Sequence, residues 1–596
     1  MAGVHGTTDH ARHMERTLQT DFYAQLDRGA ERRAIGFADA AGAVEWRTWQ
    51  EFHDRAASRA AALRAAGVRP GDVCLLVLPS DEACATLLAG ALLAGAVPLL
   101  VAPPLLQGMQ SNLTDVVARM LVRLRPTVVV MPARMANQRA EWQRRRKQTR
   151  FFFGDSELVL ANGTVPLLSP KSSAVAALQL TSGTTGFPRV CEWRQHQVAA
   201  ALAGMRSAMR LDSDDVCYNW TPLYHDMGLV NNFFLCLTSG VPLVMANPHD
   251  FVTRPASWLR GMAATRATVS WSPNFGFALA TRKITPEQMQ GVRLDHVRAL
   301  WNAAERIHLP TMREFHARFA AHGLRWEAMK TNFGCAECVG GVSFSSVDAP
   351  LVFERIDGER LQTHRRADPV PESSATARAV TVVGVGRAVP GVRFHILSPR
   401  RQKLPDGRVG EIAVETPSRM QGYVRAQREN RRALHGKLLR TGDFGYKRGE
   451  ELFWVGRVRE RITIQGKKVD PSYFEAALHG IPALRPGCFV AFGVDDAERG
   501  TQRLVVVAEV AQPLARPLDA IRGDIQERVF RHLGLETSDT VLVPRGTLPK
   551  TSSGKRRHRH FRRLYLEGKL RNLESQGVYD EGLVHPAADE PTGVGR

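Results

Sequence analysis

Residues Leu178–Val190, LQLTSGTTGFPRV, decide how this chain is read. The residues leading into them, Ala174–Leu180, form an apolar run with the length of a buried strand. The run breaks into Thr181, Ser182, Gly183, Thr184, Thr185 and Gly186, followed by Phe187, Pro188 and Arg189. Two glycines three apart allow a tight bend that turns successive backbone N–H groups inward. The neighbouring hydroxyls add donors and a candidate Mg²⁺ ligand. Such a loop suits a polyphosphate, and the alternative is an ordinary Ser/Thr/Gly turn. It is not a Walker loop, because G-x-x-x-x-G-K-[ST] does not occur in the chain.

Outward from this loop, 596 residues are enough for several core units. Apolar residues make up 44% and charged residues 23%, a globular balance rather than a disordered or fibrous one. Basic side chains number 80 against 59 acidic, a formal charge of +21. A field of that sign draws phosphorylated or acidic partners: nucleic acid, a nucleotide or an acidic carrier protein. Eight cysteines in this length exclude a disulfide scaffold. Cys335 and Cys338 form a C-x-x-C, but no second Cys/His pair stands at zinc spacing. The opening residues, MAGVHGTTDHARHMERT, lack the apolar core of a signal peptide. Cys84–Ala102 is rich in Ala and Gly and holds Pro98; it reads as a buried helix running into a buried strand, not as a membrane span. A reducing, cytoplasmic setting is the expectation.

Strands are expected at 73–78, 98–101, 128–131, 243–244, 269–271 and 297–302, with helices at 49–66, 83–94, 116–124, 197–209 and 258–264. That alternation argues an α/β fold with a largely parallel sheet covered by helices. Polar stretches follow the apolar runs: His225 and Asp226 in NWTPLYHDMGLV, Asn302–Glu305, and a loop KTNFGCAE at 330–337. Ligand sites of open parallel sheets lie beyond the carboxyl ends of the strands, where these stretches fall. At 352–362, Asp357-Gly358 between alternating runs predicts a hairpin, and the polar residues after it a mobile loop. Short strands at 380–385, 392–397 and 409–414 predict a β-rich subdomain. The expected organisation is a loose 1–20, a large domain over 21–457 of stacked mixed and parallel sheets, and an insertion at 343–379. A small mobile α+β domain follows over 458–571, with a disordered tail at 572–596. The basic run Arg144–Lys147 is expected to be a solvated helix face.

Several of these stretches resemble the acyl-adenylate-forming, AMP-binding superfamily: acyl-CoA synthetases, peptide-synthetase adenylation domains and luciferases. TSGTTGFPR resembles the family's phosphate loop, NFGCAE its adenine loop, and RTGD its ribose-binding segment. GRVRERITIQGKKVDPSYFE resembles its hinge, and PKTSSGK its catalytic-lysine loop. PLYHDMGL (222–229), LPSDEACATLLAGALLAGAVP (78–98), NAAER (302–306) and PKTSSGKRRHRHFRRLYLEG (549–568) are closest to fatty acyl-AMP ligases. The 343–379 stretch lies where those ligases carry an insertion that obstructs release to free CoA.

The resemblance implies ATP-dependent activation of a carboxylic acid, fatty in those ligases, to acyl-AMP, then transfer to the phosphopantetheine of an acidic acyl carrier protein or a polyketide or peptide synthase. Neither nucleic acid nor a membrane span is implied. It makes Lys555, His225 and Glu337 the catalytic residues. It puts Thr181, Ser182, Gly183, Thr184, Thr185, Gly186, Asn302, Ala304, Asn332, Phe333, Gly334, Asp443 and Arg457 on ATP, and Thr184 and Glu337 on Mg²⁺. The chain departs from the pattern at Arg189, where Lys is usual, at Val190 and Cys191, at Gln195, and at Phe333, where Tyr is common. The other readings are an acyl-CoA ligase, an amino-acid-adenylating domain, and a non-enzymatic basic binding protein.

Overall fold

The computed structural model describes residues 16–39, 41–103, 110–158, 168–181, 188–371, 379–457, 462–464, 467–469, 471–496, 501–511, 514, 516–533, 535–548, 556–570 and 572–573. The phosphate-loop residues Ser182, Gly183, Thr184, Thr185 and Gly186 and the lysine Lys555 lie outside the described residues, as do Arg459 and Glu460 of the expected hinge.

Among the described residues, nine strands form one sheet and seven another. In the nine-stranded sheet, Cys217–Asn219, Val269–Pro273, Ala299–Ala303 and Met329–Cys335 run parallel, so their carboxyl ends share one edge. In the seven-stranded sheet, Val73–Leu76 runs parallel to Val97–Leu100 and Val128–Met131. Val175–Leu180 returns antiparallel as Val190–Arg194. Alternate residues of a strand face opposite ways. Cys74 and Leu76 therefore join the main core while Leu75 and Val77 join a second one on the far face. Helices Trp49–Ala65, Glu82–Leu93 and Gln195–Met209 share that main core with both sheets. Thr48 starts the first of these with a capping box to Glu51, and Asp81 caps the second through Cys84 N–H at 2.9 Å. Every residue from Cys84 to Leu93 is buried, as an all-round apolar helix requires. No described helix is long and apolar enough to cross a membrane.

A five-stranded antiparallel sheet follows, built on Leu438–Arg448. Beyond it, Leu484–Asp496, Thr501–Val510 and Asp539–Val543 pair with helices Pro471–Ala477, Leu518–Leu533 and His558–Leu566 around them. This late-chain lobe shares one apolar cluster with Ile356, Leu361, Val382 and Phe444 of the preceding segments.

Several expectations are corrected. KTNFGC is not a loop but the strand Met329–Cys335, with Ala336–Cys338 a single tight helical turn after it. Pairing with parallel Ala299–Ala303 and antiparallel Gly340–Phe344 holds it extended. The Asp357-Gly358 hairpin does not form. Asp357 instead accepts from the N–H groups of Glu359 and Arg360 and caps the helix Gly358–Thr363. Phe353–Asp357 pairs with Ala379–Val383, a partner too distant in sequence for the local pattern to reveal. Part of the polar stretch after that helix is anchored, because Ala367 N–H donates to Gly407 O and Val370 N–H to Arg355 O. Leu18 opens a helix inside the stretch expected to be loose, with Thr17 buried as its cap. Leu573, expected in the tail, is buried.

Lys330 shows how strongly the adjoining strand is held. It is fully buried, and its Nζ donates to Ser346 O at 2.6 Å and Ala349 O at 2.8 Å. Burial pushes its pKa down from 10.5 to about 8, despite Asp348 and Glu327 nearby. Replacing it as Lys330→Met removes both bonds, and urea unfolding should show a loss of about 2 kcal/mol. Between pH 8 and 10.5 the unfolded lysine binds its proton and the folded one does not, so rising pH favours the folded state. The stability gap between wild type and Lys330→Met should therefore widen over that window.

Candidate active site

A cleft of about 1080 Å³ opens at the carboxyl edge of the nine-stranded sheet. Its first wall is the neck of the hydroxyl-rich loop. Thr181 N–H donates to Arg189 O at 2.8 Å, and Arg189 N–H donates to Thr181 Oγ1 at 3.1 Å. Gln179 Nε2 donates to Tyr224 O at 2.9 Å and so ties the turn carrying His225 to the same strand.

Glu337 sits on the turn after Met329–Cys335. Its Oε1 accepts from Tyr423 O–H at 2.6 Å and lies 3.6 Å from the Arg189 guanidinium, which stacks over the Tyr423 ring at 4.3 Å. The arginine at the unusual position thus holds a cation between the loop neck and the acid. Burial, then the Glu337 charge, raises the Tyr423 pKa far above its ordinary value, so the phenol keeps its proton and remains a donor. His225 caps the short helix Asp226–Gly228, and its Nδ1 lies 2.8 Å from Asp226 Oδ1. That same Nδ1 accepts the capping bond from Met227 N–H at 3.1 Å, so a neutral ring carries its proton on Nε2.

Phe333 and Gly334 line the next wall. A register shift between them bends the strand, and a Cβ on Gly334 would overlap the carbonyl of Gly340. Ala304 also lines the cleft and holds φ at +70°, a strained conformation for a residue with a side chain. Asn332 is 3% exposed, and among the described residues its Oδ1 has no hydrogen-bond partner. Asn302 is a correction: it does not line the cleft. It is fully buried, and its Nδ2 donates to Asn274 Oδ1 at 3.1 Å, so it acts on the wall through Asn274. Asp443 pairs with Arg457 across adjacent strands, Oδ1 to Nε 3.2 Å.

The late-chain lobe closes the far side with residues that inspection of the sequence passed over. Glu475, on the helix Pro471–Ala477, is 3% exposed. It meets Arg556 at 3.1 Å and His558 at 2.5 Å. Burial would raise its pKa, but Arg556 and His558 outweigh it and hold the carboxyl below its ordinary value. His308 faces His479 across the cleft, ring centroids 5.6 Å apart. Burial, then Arg306, His479 and Arg556, drives its pKa well below normal and keeps it neutral. Tyr423 and Asn274 carry no local motif, and Glu475 closes the hinge-like stretch with no role read for it there.

A family model described as AMP-binding enzyme matches residues 22–424. The medium-chain-fatty-acid–[acyl-carrier-protein] ligase JamA of Moorena producens (strain JHB) is 32% identical over 419 residues, covering 68% of this chain and 70% of the relative. The long-chain-fatty-acid–AMP ligase FadD28 of Mycobacterium tuberculosis (strain ATCC 25618 / H37Rv) is 29% identical over 426 residues, covering 67% and 72%. A solved structure from work on fatty acyl-adenylate ligases of E. coli and L. pneumophila superimposes with a TM-score of 0.84 at 24% identity, covering 93% of this chain and 98% of that one. At that identity the match speaks to the fold.

The buried ion group gives a direct test of the far wall. Glu475→Gln keeps the shape but leaves Arg556 and His558 without their buried counter-charge, and urea unfolding should report a loss of about 3 kcal/mol. The folded carboxyl is held below its ordinary value, so this contribution is full above about pH 4.5 and fades as pH falls through the lower folded pKa.

Proposed function

The chain belongs to the AMP-binding enzymes, and from that premise we propose that it condenses a fatty acid with ATP and passes the acyl group to a carrier-bound phosphopantetheine thiol. It is an acyl-adenylate-forming ligase. The observation that carries the finer reading is convergence. The loop neck at Thr181 and Arg189, the acid Glu337, the Ala304–Phe333–Gly334 wall, the Asp443–Arg457 pair and Arg556, the neighbour of Lys555, all border one cleft.

The acid is ionised at neutral pH, as carboxylates are, so no protein base is required for its attack on the α-phosphate. The carboxylate oxygen forms the new P–O bond and pyrophosphate leaves. What the chain must supply is alignment of two anions and stabilisation of the charge that builds on the leaving group. Ser182–Gly186 would cradle the phosphates, with Arg189 at their neck. Phe333 would stack on adenine, the flat Gly334 backbone would admit it closely, and Asp443 would take the ribose hydroxyls. His225, oriented by the N–H of Met227 on its Nδ1, would orient the substrate carboxylate. Glu337 fits an Mg²⁺ site, since it offers a hard oxygen donor held in place by Tyr423, and Thr184 would add a hydroxyl. Mg²⁺ there would neutralise charge on the departing pyrophosphate. Lys555 would bridge α-phosphate and carboxylate.

In the second step a thiol attacks the acyl carbonyl, the thioester forms, and AMP leaves with loss of the thiol proton. Rotation about Arg459–Glu460 would withdraw Lys555 and admit that thiol. Support for a carrier over free CoA comes from the insertion. Its helix Gly358–Thr363 lies against strand Lys467–Val469, and Ile356 and Leu361 share the late lobe's apolar cluster. An acceptor that brings its own protein surface offsets the cost of loosening that contact; a small diffusing thiol does not. The +21 charge suits an acidic carrier.

ATP–pyrophosphate exchange across a panel of carboxylic acids tests the first step. Lys555→Ala should lose about a hundredfold or more, and near-normal exchange would remove it from the mechanism. Acyl transfer to a phosphopantetheinylated carrier, falling with added salt, should exceed transfer to CoA; equal rates would make the protein a CoA ligase.

A further inference from the structure

Beyond His225 the cleft wall is made by Met227, Asn231, Gly340 and Gly341. Asn231 belongs to the π-helical turn Leu229–Phe234 and is only 3% exposed. Turns of that kind occur frequently at functional sites. Glycine at 340 is what lets the turn sit this close, because a Cβ there would run into Asn231 Oδ1. Gly341 N–H is a donor, so the atom 3.3 Å from it must be the Asn231 oxygen, which presents the Nδ2 edge to the cleft. Asn332, whose Nδ2 would lie 3.3 Å from a Cβ on Gly341, has a buried Oδ1 with no partner among the described residues. Two carboxamides, each on a side chain 97% removed from solvent, thus meet at one glycine on the wall of the cavity.

We propose that Asn231 and Asn332 form a polar subsite for a hydroxyl group on the acyl chain, making the substrate a hydroxy acid rather than a plain saturated one. The proposal rests on the adenylation reading, which places the acyl group beyond His225. The hydroxyl would accept from Asn231 Nδ2 and, with the Asn332 carboxamide turned to bring its oxygen to the cleft, donate to Oδ1. A methylene at that position would leave Asn231 Nδ2 and Asn332 Oδ1 without partners, and sites built around a hydroxyl reject the analogue without it far more strongly than apolar pockets discriminate by size. Asn332, grouped with the nucleotide by its motif, would then serve the acid instead.

The test compares octanoic acid with its β-hydroxy and terminal-hydroxy derivatives, and phenylpropanoic acid with its para-hydroxy derivative. Wild type should favour at least one hydroxylated member by about a hundredfold or more in kcat/KM for pyrophosphate exchange. Asn231→Leu should bring that ratio to about one or invert it. A wild-type preference for the saturated acids, or a ratio unmoved in Asn231→Leu, overturns the proposal. Calorimetric binding of the same acid pairs to wild type, without ATP, reads the subsite apart from turnover and independently of how the variant folds. Preferred binding of the hydroxy acid with no exchange would retain the subsite and sink adenylation. Exchange without preferred binding would sink the subsite alone.

Discussion

Backbone comes so close at Gly334 that a Cβ there would overlap the Gly340 carbonyl, and a Cβ on Gly340 would in turn meet Asn231 Oδ1. Much of the cleft depends on that contact. It lets Met329–Cys335 and Gly340–Phe344 pair across a register shift, and the shift delivers Glu337 onto a single tight turn at the mouth of the sheet. The same closeness seats the turn bearing Asn231 against the strand. Lys330 secures the start of that strand by bonding two carbonyls of the following loop with one ammonium group. Backbone proximity sets the floor of the cavity, and side chains then decorate it.

Charge placement follows a different logic at each wall. Near the loop neck, Arg189 stacks on Tyr423 beside a carboxylate that also accepts from the phenol, so acid and base stay separate and both face the cavity. In the late lobe, Glu475 draws Arg556 and His558 into a buried cluster in which attraction outweighs desolvation. The first arrangement suits a hard cation and phosphate oxygens. The second holds the backbone next to Lys555 at the rim. An excess of positive charge over the whole chain supplies a long-range field, which steers acidic molecules but does not choose among them.

The alternation of apolar runs was enough to anticipate the parallel sheets and the buried helix at 83–94, because period and burial are local consequences of composition. Glu337, Phe333, Gly334, Ala304 and Asp443 were legible through short motifs and do line the cleft. Asn302 was placed on the wall by the same kind of pattern, yet it is fully buried and its Nδ2 donates to Asn274 behind the wall. The Asp357-Gly358 pair illustrates a genuine degeneracy. Asp followed by Gly serves a tight hairpin or a helix cap, and the choice went to the cap because the strand found its partner at 379–383.

What the amino-acid order determined unaided is therefore the family, the succession of strands and helices, and many of the residue types that line the cleft. Those follow from neighbours in sequence, whose spacing and capping act over a few residues. Only the tertiary structure decided which side chains meet: Tyr423 on Glu337, Glu475 beneath Arg556, and two asparagines a hundred positions apart meeting at Gly341. Such pairs arise from the folding of distant segments onto one another, and no local periodicity encodes them.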